Sequence, residues 1–152
     1  MSMEAETPAV DDAPEGETVQ VLEFALNDET YCVDIEYVAE IVDRTELTNV
    51  PNAPHAVEGV MDLRGRTTAI VNPKTLLGLA DAAESKRIVI FNSDTVDDGA
   101  TGWVVDEVFQ VVRVTPGDVE APPFDDDSIR GVVRREEELV IWVDPEAASA
   151  GV

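Results

Sequence analysis

Arg64 and Arg66 flank a single glycine in the stretch VEGVMDLRGR, residues 57–66. They are two of only 10 basic residues in a chain that carries 33 acidic ones. A guanidinium is a planar fork of N–H donors that suits carboxylate or carbonyl acceptors, so scarce cations at a hairpin tip mark a candidate contact point. A solvated turn residue is the bland reading, and these residues alone leave both open. Other groups offer less chemistry. His55 is the only histidine, which excludes a dyad or metal site built on two; its proline corner suits a surface or turn role. The serines at 2, 85, 93, 128 and 149 lie in loops or termini, without a nucleophile elbow. Asp118, Glu120 and Asp125-Asp126-Asp127 lack calcium-loop spacing and read as solvated acids, as do Glu136-Glu137-Glu138. Gly59, Gly65 and Gly78 are too widely spaced to cradle a phosphate. Cys32, the only cysteine, excludes an internal disulfide and a cysteine cluster; in its apolar strand it reads as a buried inert thiol. No catalytic residue, metal site or cofactor is expected, and a binding role remains.

The bulk composition narrows the partners. A net charge of −23 argues against a nucleic-acid backbone or an anionic membrane surface, since both need basic patches. It exceeds the roughly 2–8 units typical of a small soluble domain. The acids are dispersed along the chain, with only Lys74 and Lys86 as lysines. That pattern keeps a protein hydrated in concentrated salt and points to a halophile's cytoplasm, with an ordinary acidic bacterial protein as the alternative. Hydrophobic residues make up 44% of the chain, enough for a real core. No segment approaches the roughly 18 consecutive apolar residues of a membrane span, and the N-terminus lacks a signal-peptide pattern. A cytoplasmic protein without membrane insertion is expected.

Residues 1–18 carry acids, small residues and prolines without apolar period, and are expected to be a disordered acidic tail. Strands are predicted over 19–26 and 30–34, joined by a turn at Asn27-Asp28-Glu29. IEYVAEIVD, 35–43, fits a short helix, or one or two turns before the chain straightens at TELTNV, with Ile35, Val38 and Val42 on one face and Ile41 beside them. The prolines of PNAP make a rigid corner. In VEGVMDL, Val57, Gly59, Met61 and Leu63 share one face; RGR turns, and 67–72 returns antiparallel. Pro73 opens a short helix that Gly78 ends. After a loop at 80–85, KRIVIFN (86–92) is apolar on both faces and so central; a polar turn follows. A long β run over 102–114 bends near Asp106-Glu107. A proline-rich loop, 115–128, precedes a hairpin of 129–133 and 139–143 about RREEE, and Asp144-Pro145 starts a closing helical turn. Trp103 and Trp142 sit in apolar strands and are expected in the core. Nine or ten strands, split near residue 85 into two similar halves, predict an all-β chain of two small barrels side by side.

The run VPNAPHAVEGVMDLRGRTTAIVNPKTLLGL, 50–79, resembles the signature of the CheW family of chemotaxis coupling proteins. Its members show a proline corner, then V-x-G-V-x-N-L-R-G, then an apolar return strand and a short helix. The match covers Pro51, Asn52, Pro54, Val57, Gly59, Val60, Leu63, Arg64, Gly65, Ile70, Val71 and Gly78. LEFALNDETYCVDIEYVAEI, GWVVDEVFQVVRV and the hairpin IRGVV to LVIWVDPE resemble flanking pieces in the family's order, so the likeness spans about 19–146. Departures are Asp62 for Asn, Ala69 for Pro, Asn72-Pro73-Lys74 for Asp-Leu-Arg, and Cys32 for a common glycine.

The resemblance implies one CheW-like domain over 19–148, made of two SH3-like five-stranded barrels with short helices and a groove between them. It implies a non-catalytic adaptor that binds the cytoplasmic tip of chemoreceptors and the regulatory domain of the histidine kinase CheA, so that receptor state controls autophosphorylation. The receptor-contact group it implies is Val38, Glu40, Gly59 and Arg64, with Val57 and Leu63 shaping the groove; no kinase-contact residue is assigned. An adaptor for a non-chemotaxis two-component system is a second reading, and a small all-β enzyme or carbohydrate-binding barrel a third. In the strand, Gly59 marks either a bulge or a place where another backbone approaches closely.

Overall fold

Alternating apolar residues and turn punctuation build the first hairpin of the structure, a computed structural model that describes residues 18–92 and 100–149. The disordered tail expected over 1–18 lies outside these residues apart from Thr18, as does most of the polar turn after residue 92. β1 (Val19–Leu26) and β2 (Glu29–Asp34) flank a two-residue turn. Asp34 then caps one 3-10 turn, Ile35–Tyr37, by accepting from the Glu36 N–H at 2.9 Å. Of the short helix or one or two turns expected over 35–43, only this one turn forms, because Val38–Asp43 is a strand, β3, paired with β6 (Arg87–Phe91). Ile41 and Val42 pack into different clusters, as consecutive strand residues must. β4 (Val57–Leu63) and β5 (Arg66–Val71) form the second hairpin.

After β5, Asn72 accepts from the Lys74 N–H and Pro73 begins α1 (Pro73–Leu76). Leu79 N–H donates to Lys74 O at 2.7 Å and Gly78 N–H to Thr75 O, which ends the helix at the predicted glycine. The long run breaks at Asp106, giving β7 (Thr101–Val105) and β8 (Glu107–Val114). The proline-rich loop contains a 3-10 turn, Pro116–Asp118, and a two-residue strand, β9 (Val119–Glu120), neither of which was expected. β10 (Ile129–Arg135) and β11 (Glu138–Val143) turn at Glu136-Glu137, inside the expected RREEE. Asp144 caps α2 (Pro145–Ala148) with the backbone angles found at Asn72.

The strands form two sheets, ordered β8-β1-β2-β11-β10-β9 and β3-β6-β7-β5-β4. A boundary near residue 85 does not separate them. The chain passes from the first sheet to the second after Asp34 and returns at Asp106, so each sheet takes strands from both halves. The halves are nevertheless repeats. The series β10-β11-β2-β1-β8 matches β4-β5-β7-β6-β3, each with one parallel pair at its centre, β11 with β2 and β5 with β7. The counterpart of β9 is the single bridge of Thr48 to Val60.

Three apolar clusters follow from this arrangement. The central one joins Leu22, Phe24 and Val33 of the first sheet to Val89, Phe91 and Trp103 of the second. Phe91 and Trp103 meet edge to face with centroids 5.1 Å apart. Val21, Cys32, Val133 and Trp142 fill the first sheet's other face, and Ile70, Ile88, Ile90 and Val104 the second's. β6 is thus apolar on both sides because it separates two clusters. Both tryptophans and Cys32 are buried as expected.

Candidate functional site

The β4–β5 connection is a two-residue turn, and Arg64 and Gly65 both have left-handed backbone, φ 54 and 84. A primed turn of that kind matches the twist of its strands and requires φ above zero at both central residues. Glycine adopts it freely, whereas a side chain there costs about 1–2 kcal/mol. The tight turn therefore holds Arg64 at the hairpin's extremity. Its Nη2 donates to Glu40 Oε2. β3 and β4 are the two edge strands of their sheet, so this pair bridges the seam where the sheet curls shut. A register shift between Val38 and Glu40 bulges β3 at Ala39 and sets Glu40's direction. The Arg64 side chain is 69% exposed and that of Glu40 30%. An ion pair in so much water contributes at most about 1 kcal/mol. Both groups can therefore exchange partners cheaply.

Around this pair lies a cavity of about 360 Å³, lined by Glu40, Leu63, Arg64 and Arg66 with Thr68 and Ile90 among others. Of the six residues singled out from sequence, Glu40, Leu63 and Arg64 come together here. Val38 and Val57 instead pack against the central cluster between the sheets. Gly59 is buried under the chain's own backbone, since a Cβ there would meet Thr48 O at 2.6 Å and Leu47 Cβ at 3.0 Å. The single apolar face expected for 57, 59, 61 and 63 is also divided. Glu58 is an extra residue between the pairs Val57–Val71 and Gly59–Ile70, so the alternation slips by one. Val57 faces the central cluster, and Met61 and Leu63 the second sheet's interior.

Thr68, Ile90 and Ala100 also line the cavity without having been singled out. Ile90 and Ala100 belong to the second half of the chain, and only the pairings of β6 and β7 bring them here. Arg66 had a sequence signal, its spacing of two from Arg64.

The repeat places a related arrangement on the first sheet. There Arg135 Nη1 donates to Glu23 Oε2, and Gln110 Nε2 donates to the other Glu23 oxygen at 3.2 Å. The hydrogen bond from Arg135 to Glu23 raises the arginine's pKa further. Glu136, with φ 52, takes the turn position that Arg64 takes in the second sheet. The two hairpin tips are therefore opposite in charge.

Comparison with known proteins agrees with the topology. The sequence profile of the CheW-like domain matches residues 20–151. The Chemotaxis protein CheW of Treponema pallidum is 32% identical over 139 residues, covering 84% of this chain and 80% of that one. That of Rhizobium meliloti is 32% identical over 130 residues, with 82% and 83% covered. The crystal structure of the scaffolding protein TtCheW from Thermoanaerobacter tengcongensis superposes with a TM-score of 0.77 at 25% identity, covering 87% of this chain and 88% of that one. Its likeness makes the two sheets the expected pair of SH3-like β-barrels, the first widened by β9. With the hairpin motif, the barrel pair and nearly the whole described chain in agreement, the protein belongs to the CheW-like domain family.

Proposed function

We propose that this chain is a non-catalytic chemotaxis adaptor, which couples the cytoplasmic tip of chemoreceptors to the regulatory domain of the kinase CheA. The observation that carries the reading is the solvent-facing Arg64–Glu40 pair beside Leu63, in a chain of the CheW-like family. Arg64 offers its fork to receptor carboxylates or carbonyls, while its stem and Leu63 supply apolar contact. Glu40 supplies the acceptor for a receptor cation. Val38 and Val57 act by packing β3 and β4 onto the apolar cluster between the barrels, and Gly59 by letting residues 47–48 lie flat against β4. The chain works in the cytoplasm, held at the membrane only through receptors.

Reconstitution tests this. Receptor-containing membranes and CheA are assayed for kinase phosphorylation with and without the chain. The expected result is a rise that needs all three components and falls with Arg64→Ala. A rate independent of the chain would sink the proposal.

A further inference from the structure

The mouth of the first barrel repeats the Arg64 site with different side chains. Phe109 is the extra residue between the pairs Val108–Phe24 and Gln110–Glu23, as Ala39 is between Val38–Phe91 and Glu40–Ile90. A bulge of this kind therefore accepts alanine, and the fold does not require a phenylalanine there. Phe109 is nevertheless 48% exposed. It lines a cavity of about 610 Å³ together with Gln110, the buried Glu23 and the hairpin tip, residues 135–138.

Four carboxylates share this mouth with a single guanidinium. Arg135 is engaged by Glu23, which also accepts from Gln110, and Glu138 accepts from Thr30 Oγ1 at 2.6 Å. Glu136 and Glu137 form no ion pair among the described residues. At the second barrel's mouth Arg64 finds Glu40 across the seam. Here the equivalent residues, Glu136 and Gln110, do not meet, because Gln110 turns to Glu23. Uncompensated negative charge is thus left beside an exposed aromatic ring.

We propose that this mouth docks a basic segment of another protein, one that presents an arginine or lysine next to an apolar side chain. The cation pairs with Glu136 and Glu137, while its methylene stem and the apolar neighbour cover Phe109. An acidic rim alone attracts any cation, and Phe109 is what selects this one. A second copy of the chain fits less well, because two bodies at −23 repel each other. At molar salt, where screening sets in within about 3 Å, only direct pairs persist. Burial of Phe109 then supplies most of the affinity. The site is separate from the Arg64 mouth and does not rest on the receptor reading.

The probe is the peptide acetyl-Gly-Arg-Leu-Arg-Gly-amide, titrated into the full chain in molar KCl. Proton–nitrogen correlation spectra follow the amides of β8 and of the β10–β11 turn. The expected result is a set of saturable shifts confined to the surroundings of Phe109 and Glu136 at millimolar peptide, with the Trp103 indole unmoved. Phe109→Ala should weaken binding at least tenfold, about 1.4 kcal/mol, and so should Glu136→Gln combined with Glu137→Gln. An unchanged Trp103 indole signal shows that these variants fold. The same peptide with serine for leucine should bind at least tenfold more weakly, and spermidine should leave Phe109 unmoved. No saturable shift, equal binding of the serine peptide or of spermidine, or unchanged affinity in Phe109→Ala would overturn the proposal. So would sedimentation showing that the chain alone self-associates and that Phe109→Ala abolishes it, which would assign the mouth to a second copy.

Discussion

The ammonium of Lys74 lies 3.0 Å from the Asp106 carboxylate, and the lysine side chain is fully buried. Asp106 stands where the chain returns from the second sheet to the first. It also accepts from the Asn27 N–H at 2.6 Å and from Ser85 Oγ at 3.2 Å, so it ties the first hairpin to the strands of the second barrel. Lys74 is further held by Asp81 at 3.1 Å and Ala83 O at 2.7 Å. Removing one member of a buried pair strands the other's charge, at about 3–5 kcal/mol. Lys74→Met should therefore lower stability by that amount in chemical denaturation, and adding Asp106→Asn should recover part of it. A single variant as stable as the parent would show that the pair is not what holds this junction.

Gly59 and Gly65 differ in what surrounds them, which gives a paired expectation. A Cβ at Gly59 runs into the Thr48 backbone, whereas one at Gly65 meets nothing within 4 Å. Gly59→Ala should cost about 1–3 kcal/mol by forcing segment 47–48 outward. Gly65→Ala should cost only the strain of its left-handed backbone, about 1 kcal/mol. Urea titrations of both variants check the order, and equal losses would contradict the close approach at Gly59.

Arg64 should matter for binding and little for folding. Arg64→Ala is expected to weaken receptor binding at least about tenfold, since 1.4 kcal/mol is a factor of ten. Arg64→Lys should rescue in part, because an ammonium cannot reproduce the planar fork. Arg64→Asn separates the two roles most cleanly. Asn-Gly is the favoured primed turn, so this variant should melt at or above the parent temperature while binding as poorly as Arg64→Ala. Titration with a receptor-tip fragment and a parallel melt decide it; wild-type affinity in the alanine variant would leave Arg64 a solvated turn residue.

Burial pushes the Cys32 thiol up to about 12 from an ordinary 9.0. Burial also raises Tyr31. In the folded chain the thiol stays protonated where the unfolded chain has already lost the proton. Its contribution to stability is complete below pH 9 and is lost as pH rises towards 12. Stability should fall across that window by up to about 1.4 kcal/mol per pH unit for this group, and Cys32→Ala should flatten the slope. Denaturation curves between neutral and alkaline pH measure it. A slope unchanged in the variant would assign the loss to other groups.

Salt should stabilise the chain strongly. At −23 the folded state repels itself in dilute buffer, where the Debye length is about 30 Å at 0.01 M, and much less at 1 M, where it is about 3 Å. Melting temperature should therefore climb steeply with KCl, as the proposed halophile setting requires. A flat response from millimolar to molar salt would remove that setting.

Much of the local structure was legible in the chain itself, and for local reasons. Proline after Asn72 and Asp144 marks two helix starts, Gly78 marks a helix end, and alternation from Leu22 to Leu26 marks a strand, because each depends on neighbours a few residues away. Arg64 and Glu40 could both be named from the hairpin motif and its flanking segment.

The segment 35–43 shows where that legibility ends. Ile35, Val38, Ile41 and Val42 satisfy a helical period as well as a broken strand, and β6, nearly fifty residues on, settles the matter by offering Val38–Asp43 a pairing edge. For the same reason residue 85 divides the repeats and not the barrels. Which hairpin joins which sheet depends on the parallel pairings β2–β11 and β5–β7, which carry no signal in either strand alone. Composition and motif determined that a scarce arginine stands at a glycine turn. Only the curling of a five-stranded sheet, which brings its two edges together, placed that arginine on Glu40.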